Sequence, residues 1–523
     1  MTVSDEIPRL DRNYSAHIYG GPLPLPDTLR IYTPGLYSSH AMNEPGCRRL
    51  CMELSIHYPY FVGTMGNVPA NSGSTFSRTQ KEDFRKYLSG AVFPAMDCMS
   101  TWLDSGKSIA LSLSGVAIEQ LAAEETDSAT CLLDLLKHQS VESIGQTYYR
   151  SVAGLFSDAG EFTHQVGRHA DLVEDLSGRR PRVFEITEFV FNSALIDPIR
   201  TLGFQALYSE GSEHLLPTMN PNYVYSCQDL PVLLRNCRLS DDIAHRFHDY
   251  TWDRFPLTAG TFARWIAESP GDCVHIRLDA DLFAVTGDTA QSFKKFICDL
   301  PDALHSCGVA TALPSSVIGN SPRGELRLEE LGMCSPDTVS ALTGIHNMHQ
   351  QSAFWCLEDA RDLVTDRETW RRLQSTDHFS RMAISSGPCG RVLVRSTSQE
   401  AYDYFSAYMQ TLARCEETCR EKLRSQPAAR ALQCLPPETA FHFHSGYRFT
   451  GYSAHSLHEF SRILEFIPDE VFRFHHERMD FPRWISEVLG DTTLAENIDR
   501  CTESDQAAQR VRERVRELWQ LLR

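Results

Sequence analysis

Carboxylates close several apolar runs in this 523-residue chain, and those positions are where its chemistry is to be sought. The run VFEITEF carries Glu185 and Glu188, and HIRLDADLF carries Asp279 and Asp281. IHYP supplies His57, and RNCRLSDD supplies Arg235, Asn236, Asp241 and Asp242. A carboxylate that ends an apolar strand loses solvation, so it is either satisfied by a structural hydrogen bond or kept for function. Strand alternation sets Glu185 and Glu188 on opposite faces, so that only one of them points into a barrel, while Asp279 and Asp281 share a face. Two carboxylates facing each other suit glycosidic cleavage, one as nucleophile or base and the other as proton donor. They suit a metal almost as well. A deacetylase-like metal site would pair such aspartates with H-x3-H, whereas the nearby histidines are spaced as His164/His169 and His245/His248.

The elements that must position these residues are short apolar runs alternating with amphipathic helical stretches. The runs include LCMELSIHY, SIALSLSGV, PRVFEITEF, FQALYSEG, PVLLRNC and DCVHIRLDADLF, with EFTHQVGRHADLVEDL and TAQSFKKFICDLPDAL among the helices between them. Strand, helix, strand repeated about seven times reads as a parallel β/α barrel, an α/β fold whose reactive residues gather at the C-terminal ends of the strands. An open doubly wound sheet is the competing architecture, and since no G-x-G-x-x-G follows a strand, its nucleotide-binding version has little support. Residues 1–46 read as an irregular arm, 47–320 as the barrel and 321–430 as a helical region completing the cleft. SQPAARALQCLPPETA reads as a linker, and 437–523 as a small α+β module.

Composition narrows the partners. The formal net charge of −18, with no large Lys/Arg cluster, argues against nucleic acid. The N-terminal residues lack a basic segment followed by an apolar one, and no stretch reaches the roughly 18 apolar residues of a membrane span. A soluble cytoplasmic protein with no membrane partner is expected. The 16 cysteines include no C-x2-C pair and are expected to be reduced. In the C-terminal module, His442, His444, His475 and His476 could suggest a metal, but solvent-facing histidines are the commoner case. No metal and no cofactor are expected.

The strings SLSGVAIEQL, PRVFEITEFVFNSAL, GFQALYSEG, PNYVYSC, LLRNCRLSDDIAHRF, FPLTAGTFARWIAESPGD and QSTDHFSRM carry a resemblance. In order and spacing, the region from about 48 to 415 resembles glycoside hydrolase family 57, in particular its short α-amylase-like members. The resemblance implies an incomplete (β/α)7 barrel followed by a helical region, acting on α-glucans with retention and without a required metal. It places the nucleophile on Glu188 and the acid/base on Asp279. The family's N-terminal H-Q-P motif falls on His57, Tyr58 and Pro59, and a later motif on Asp377 and His378. Substrate contacts are expected from His57, Tyr58, Gln146, Arg150, Arg235, Asp242, Asp377 and His378. The C-terminal string DFPRWISEVLGDTTLAENI resembles a small accessory domain that could bind a protein or a glycan.

The chain also departs from the family. Tyr58 replaces a glutamine, Phe61 stands near an expected arginine, and Gln146 to Arg150 replace an E-T-Y-x-H pattern. After Asp279 the acidic residue shortens to Asp281, Gly becomes Ala284, and Val285, Thr286 and Gly287 replace E-H-Q. Each lost polar contact to a buried sugar can cost about 1–3 kcal/mol. A retaining hydrolase of starch, glycogen or maltooligosaccharides is therefore expected, with an α-glucan transglycosylase or a non-catalytic glycan-binding or regulatory homologue as alternatives. Asp241 or Asp242 could instead cap a helix, since S-D-D before an apolar run is also a start signal.

Overall fold

A computed structural model describes residues 47–63, 76–77, 79–124, 126–186, 193–211, 219–327, 347–383, 398–423 and 427–522. The N-terminal arm lies outside the described residues. Eleven strands are described: β1 (Arg49–Ile56), β2 (Ile109–Leu113), β3 (Val141–Ser143), β4 (Val183–Glu185), β5 (Ala206–Glu210), β6 (Tyr225–Cys227), β7 (Leu230–Arg235), β8 (Val274–Asp279), β9 (Ala310–Thr311), β10 (Phe441–Ser445) and β11 (Arg448–Ala454).

Seven of them make a parallel ring. β3, β2, β1 and β8 pair in that order, as do β4, β5 and β7. Two thin seams join the halves. One is a parallel bridge from Gly145 to Phe184, and the other a hydrogen bond from Asn236 N to His275 O of 2.8 Å. β6 is antiparallel to β7, and β9 adds two residues beside β1. Together these elements form the seven-stranded α/β barrel that the sequence led us to expect.

Alternation sorts the side chains. Leu50, Met52, Leu54 and Ile56 of β1 join Ile109, Leu111 and Leu113 of β2 and Val274, Ile276 and Leu278 of β8 in one core against the surrounding helices. Phe184, Leu207, Val232 and Leu234 face a second core shared with the helical region. The opposite faces point inward. The floor of the barrel is mostly apolar, with Ala110, Ile144, Val183, Ala206 and Leu233, and charged side chains stack above it.

After the barrel come helices Met348–Asp359, Thr376–Arg381 and Ser398–Leu423. Phe441, Phe443, Phe460, Phe481 and Val511 centre a third core in the C-terminal residues, where β10 and β11 form an antiparallel hairpin. The expected linker is instead part of that core. Helix Pro427–Ala431 buries Ala428, Ala429 and Ala431, and Leu432 and Leu435 follow it inside, because its alanines and leucines fit a closely packed face. Among the described residues, no helix is long and apolar enough to cross a membrane.

Gly145 is where strand pairing passes from one half of the ring to the other. A Cβ there would lie 2.3 Å from Phe204 Cε1. Gly145→Ala is expected to cost roughly 1–3 kcal/mol by overpacking this seam. Urea unfolding checks it, and a change below about 0.5 kcal/mol would contradict the close approach.

Candidate active site

Inside the barrel mouth the organising group is Arg277, on the inward face of β8 two residues before Asp279. Its Nη1 meets Glu185 Oε1 at 2.6 Å, and its Nη2 reaches Ser55 Oγ at 3.1 Å and Asp279 Oδ1 at 3.4 Å. Glu53 Oε1 lies 3.7 Å from Nε, beyond a hydrogen bond. Arg277, Glu185 and Glu53 are all buried. Burial, followed by the nearby Glu185, pushes the Glu53 carboxyl well above the usual carboxylate range against the pull of Arg277. Glu53 therefore sits beside the Glu185–Arg277 pair as the carboxyl whose charged form the surroundings disfavour.

Glu185 extends the network sideways. Its Oε2 accepts from Ser112 Oγ at 2.7 Å, and Ser112 Oγ accepts from Gln146 Nε2 at 3.0 Å. Gln146 is thus buried within the wall and holds Ser112. Arg235 does similar work on β7, donating to Glu210 at 2.7 Å and Asp241 at 2.9 Å. Asp242 is buried against Arg246 at 2.6 Å and faces Arg238 and Arg254. Neither aspartate caps a helix. Asn236 is the cap of Cys237–Ala244, accepting from Leu239 N, because its side chain falls at the turn where β7 ends.

A second group forms around His57. Its Nε2 donates to Asp377 Oδ2 at 3.0 Å, and its Nδ1 shares a hydrogen bond of 2.7 Å with Ser114 Oγ. Ser114 caps helix Gly115–Ala122, which fixes its hydroxyl at the end of β2. Asp377 arrives from the helical region, docked by Thr376 N to Arg150 O at 2.9 Å and Val152 N to Gln374 O at 2.9 Å. The surrounding chain raises the Asp377 carboxyl, but His57, Arg150 and Ser375 together hold it well below the usual carboxylate range. Arg150 adopts a left-handed backbone, φ 48°, at the end of this turn, and its Nη1 lies 3.4 Å from Ser55 Oγ. A non-glycine residue held there costs of order 1 kcal/mol, the kind of strain that clusters at functional sites.

Asp281 belongs to the same mouth. Confinement raises its carboxyl first, then Asp279 and Asp377, to about 6, with Arg150 opposing. Tyr58 stacks on Tyr87 at 5.1 Å and meets Phe61 edge-on at 5.9 Å. Burial, then Asp83, pushes its phenol to about 12, so it stays a neutral donor. Arg381 lies 3.7 Å over the Phe61 ring, a cation–π contact.

The structure thus brings together Asp279, His57, Arg150 and Asp377, with Tyr58 beside them. Glu188 lies outside the described residues. His378 does not reach the mouth: its ring is buried, Nδ1 meets Tyr404 OH at 2.7 Å and Nε2 meets Arg372 O at 3.0 Å. Both nitrogens are spent on the helical core, and burial lowers its pKa to about 4. Sequence reasoning gave no role to Arg277, Glu53, Ser55, Ser112 or Ser114. Their signal was present for three of them, because Glu53, Ser55 and Arg277 are polar residues at alternate positions in otherwise apolar strands. In the C-terminal module, His442 is engaged by Ser453 and Pro437, and His475 by Asp480.

A parallel seven-stranded α/β barrel with carboxylates gathered at its mouth defines the class, and similarity to known proteins points to a family. The glycosyl hydrolase family 57 profile matches residues 72–331. A Methanocaldococcus jannaschii protein provisionally named alpha-amylase is 32% identical over 312 residues, covering 58% of this chain and 66% of that protein. Among solved structures, the 4-alpha-glucanotransferase of Thermococcus litoralis superposes with a TM-score of 0.52 at 13% identity, over 78% of this chain and 63% of that one. A GH57-type branching enzyme of Pyrococcus horikoshii gives 0.50 at 13% identity, over 73% and 91%. These two likenesses concern the fold. Over residues 72–331 the chain is thus similar to glycosyl hydrolase family 57, and it spans just under two thirds of the length of the M. jannaschii relative.

Asp281 offers a direct check of the electrostatics. A carboxyl whose folded pKa is raised lowers stability in full above about pH 6, and that cost disappears as pH falls toward its ordinary value near 3.8. NMR titration of its side-chain carboxyl is expected to show a midpoint near 6, moving down in Asp279→Asn. A midpoint near 4 in the native chain would contradict the crowding of carboxylates.

Proposed function

We propose that this protein is a retaining glycoside hydrolase acting on α-glucans, with Glu188 as nucleophile and Asp279 as the acid/base group. Asp279 carries this reading. It ends β8 at the C-terminal mouth, held from behind by Arg277 and flanked by Asp281. Retention is chemically a double displacement. A carboxylate attacks the anomeric carbon while an acid protonates the leaving oxygen, and the same acid, now a base, activates the water that releases the sugar.

The surrounding residues suit those steps. Burial, then the neighbouring Asp279 and Asp377, raise the Asp281 carboxyl to about 6, so a group able to hold a proton stands beside Asp279 while its partners keep Asp377 ionised. His57, fixed between Ser114 and Asp377, presents a rigid polar edge to a sugar hydroxyl. Tyr58 and Phe61 supply the aromatic surface on which a neutral sugar packs. A neutral glucan needs no electrostatic steering, so the net charge of −18 is no obstacle.

Incubation with maltooligosaccharides tests the reading. Glucose or shorter maltooligosaccharides are expected from the native protein, with losses on the order of 10²–10⁴-fold in Asp279→Asn and Glu188→Gln. Longer products from the same donor would assign the intermediate to a sugar acceptor in place of water. No product from the native chain, and unchanged behaviour of Glu188→Gln, would overturn the enzyme reading in favour of a glycan-binding protein.

A further inference from the structure

At the floor of the barrel, far along the strands from the mouth, Cys51 of β1 stands with Cys273 and His275 at the start of β8. Register pairs Cys51 with His275, and alternation puts Cys273 on the same inward face. Their ligand atoms all lie within 4.8 Å of one another, and the two Sγ atoms are 3.4 Å apart. All three side chains are buried, 2%, 1% and 3% exposed. It is the one such cluster of potential metal ligands among the described residues.

We propose that Cys51, Cys273 and His275 bind one thiophilic d10 metal ion, of the zinc(II) or copper(I) class, that clips the first barrel strand to the last. Two sulfurs and an imidazole select soft or borderline ions over magnesium, calcium or manganese. Two thiolates neutralise a divalent ion, which lowers the cost of holding it among Ala110, Ile144, Val183 and Leu233. The alternative use of two facing thiols is a disulfide. Cys51 and Cys273 are diagonal neighbours across the β1–β8 pair, a placement whose Cα separation is roughly 7–8 Å, beyond the usual reach of that bond. The site plays no part in the reaction at the mouth and stands whether or not the glucan reading holds.

The test uses the full chain, expressed with zinc or copper and then desalted. Elemental analysis is expected to find about one equivalent of one of these metals, and cobalt(II) added to the metal-free protein should give a sulfur-to-cobalt charge-transfer band. Cys51→Ser and Cys273→Ser should lose both signals, and Cys131→Ser, at an exposed thiol, should keep them. Should a serine variant fail to fold, the native chain and His275→Asn decide. Saturating metal should raise the Tm of the native chain by about 2 °C or more and leave that of His275→Asn unchanged. The proposal is overturned by a native chain that holds no metal and shows no Tm response. Metal content unchanged in Cys51→Ser and Cys273→Ser, or an as-purified mass lower by two hydrogens with both cysteines joined, also overturns it.

Discussion

A guanidinium buried in a barrel has to be compensated, and Arg277 is the charge around which this interior is arranged. Removing such an ion from water costs several kcal/mol unless excellent geometry and further hydrogen bonds restore it. Arg277 finds Glu185 across the barrel on β4, Ser55 on the neighbouring β1, and Asp279 on its own strand. Burial and the neighbouring Glu185 raise the pKa of the other buried carboxyl beside it, Glu53, against the pull of Arg277, which disfavours a second negative charge in the knot. Through Glu185, Ser112 and Gln146 the same network reaches β2 and the turn after β3. Arg235 repeats the arrangement between Glu210 and Asp241. The upper barrel is thereby tied across its interior by ionic contacts where its backbone seams are thin, and Asp279 emerges from that tie into the mouth.

The second constraint is that the mouth is built from two regions distant in sequence. Asp377 is brought to His57 across 320 residues by backbone pairing of the Gln374–Thr376 segment with the turn ending at Arg150. The strained backbone of Arg150 lets the turn do both tasks, docking the helical region through its carbonyl and directing its guanidinium toward Ser55. Carboxylates of opposite protonation habit then sit side by side. Asp377 is held ionised by its partners, and Asp281 is held near 6 by its neighbours. This separation of pKa values is how a single site can supply both a proton and a charge.

Much of this was legible along the chain. Continuous apolar runs announce parallel strands, and the placing of His57 and Asp279 at run ends announces the mouth. The polar alternation in LCMELSI and VHIRLD also announces an interior that is charged, although the partners of Glu53 and Arg277 depend on which strands close the ring. His378 shows the limit of adjacency. It follows Asp377 directly, but in a helix successive residues point about 100° apart, so one meets His57 and the next enters the helical core. Residues 427–435 show another limit: alanine, proline and glutamine look like a connector until the core they fill is present.

The proposed reaction rests on a covalent role for Glu188, with Asp279 as its acid/base partner. Its most direct test is to treat Asp279→Asn, which should form but not release a glycosyl-enzyme, with an activated α-maltosyl fluoride, and to map the adduct by peptide mass spectrometry. The account predicts one glycosyl unit on the peptide containing Glu188, with fragment ions assigning it to that side chain. An adduct on Glu185, or no adduct at all with this activated donor, would contradict it.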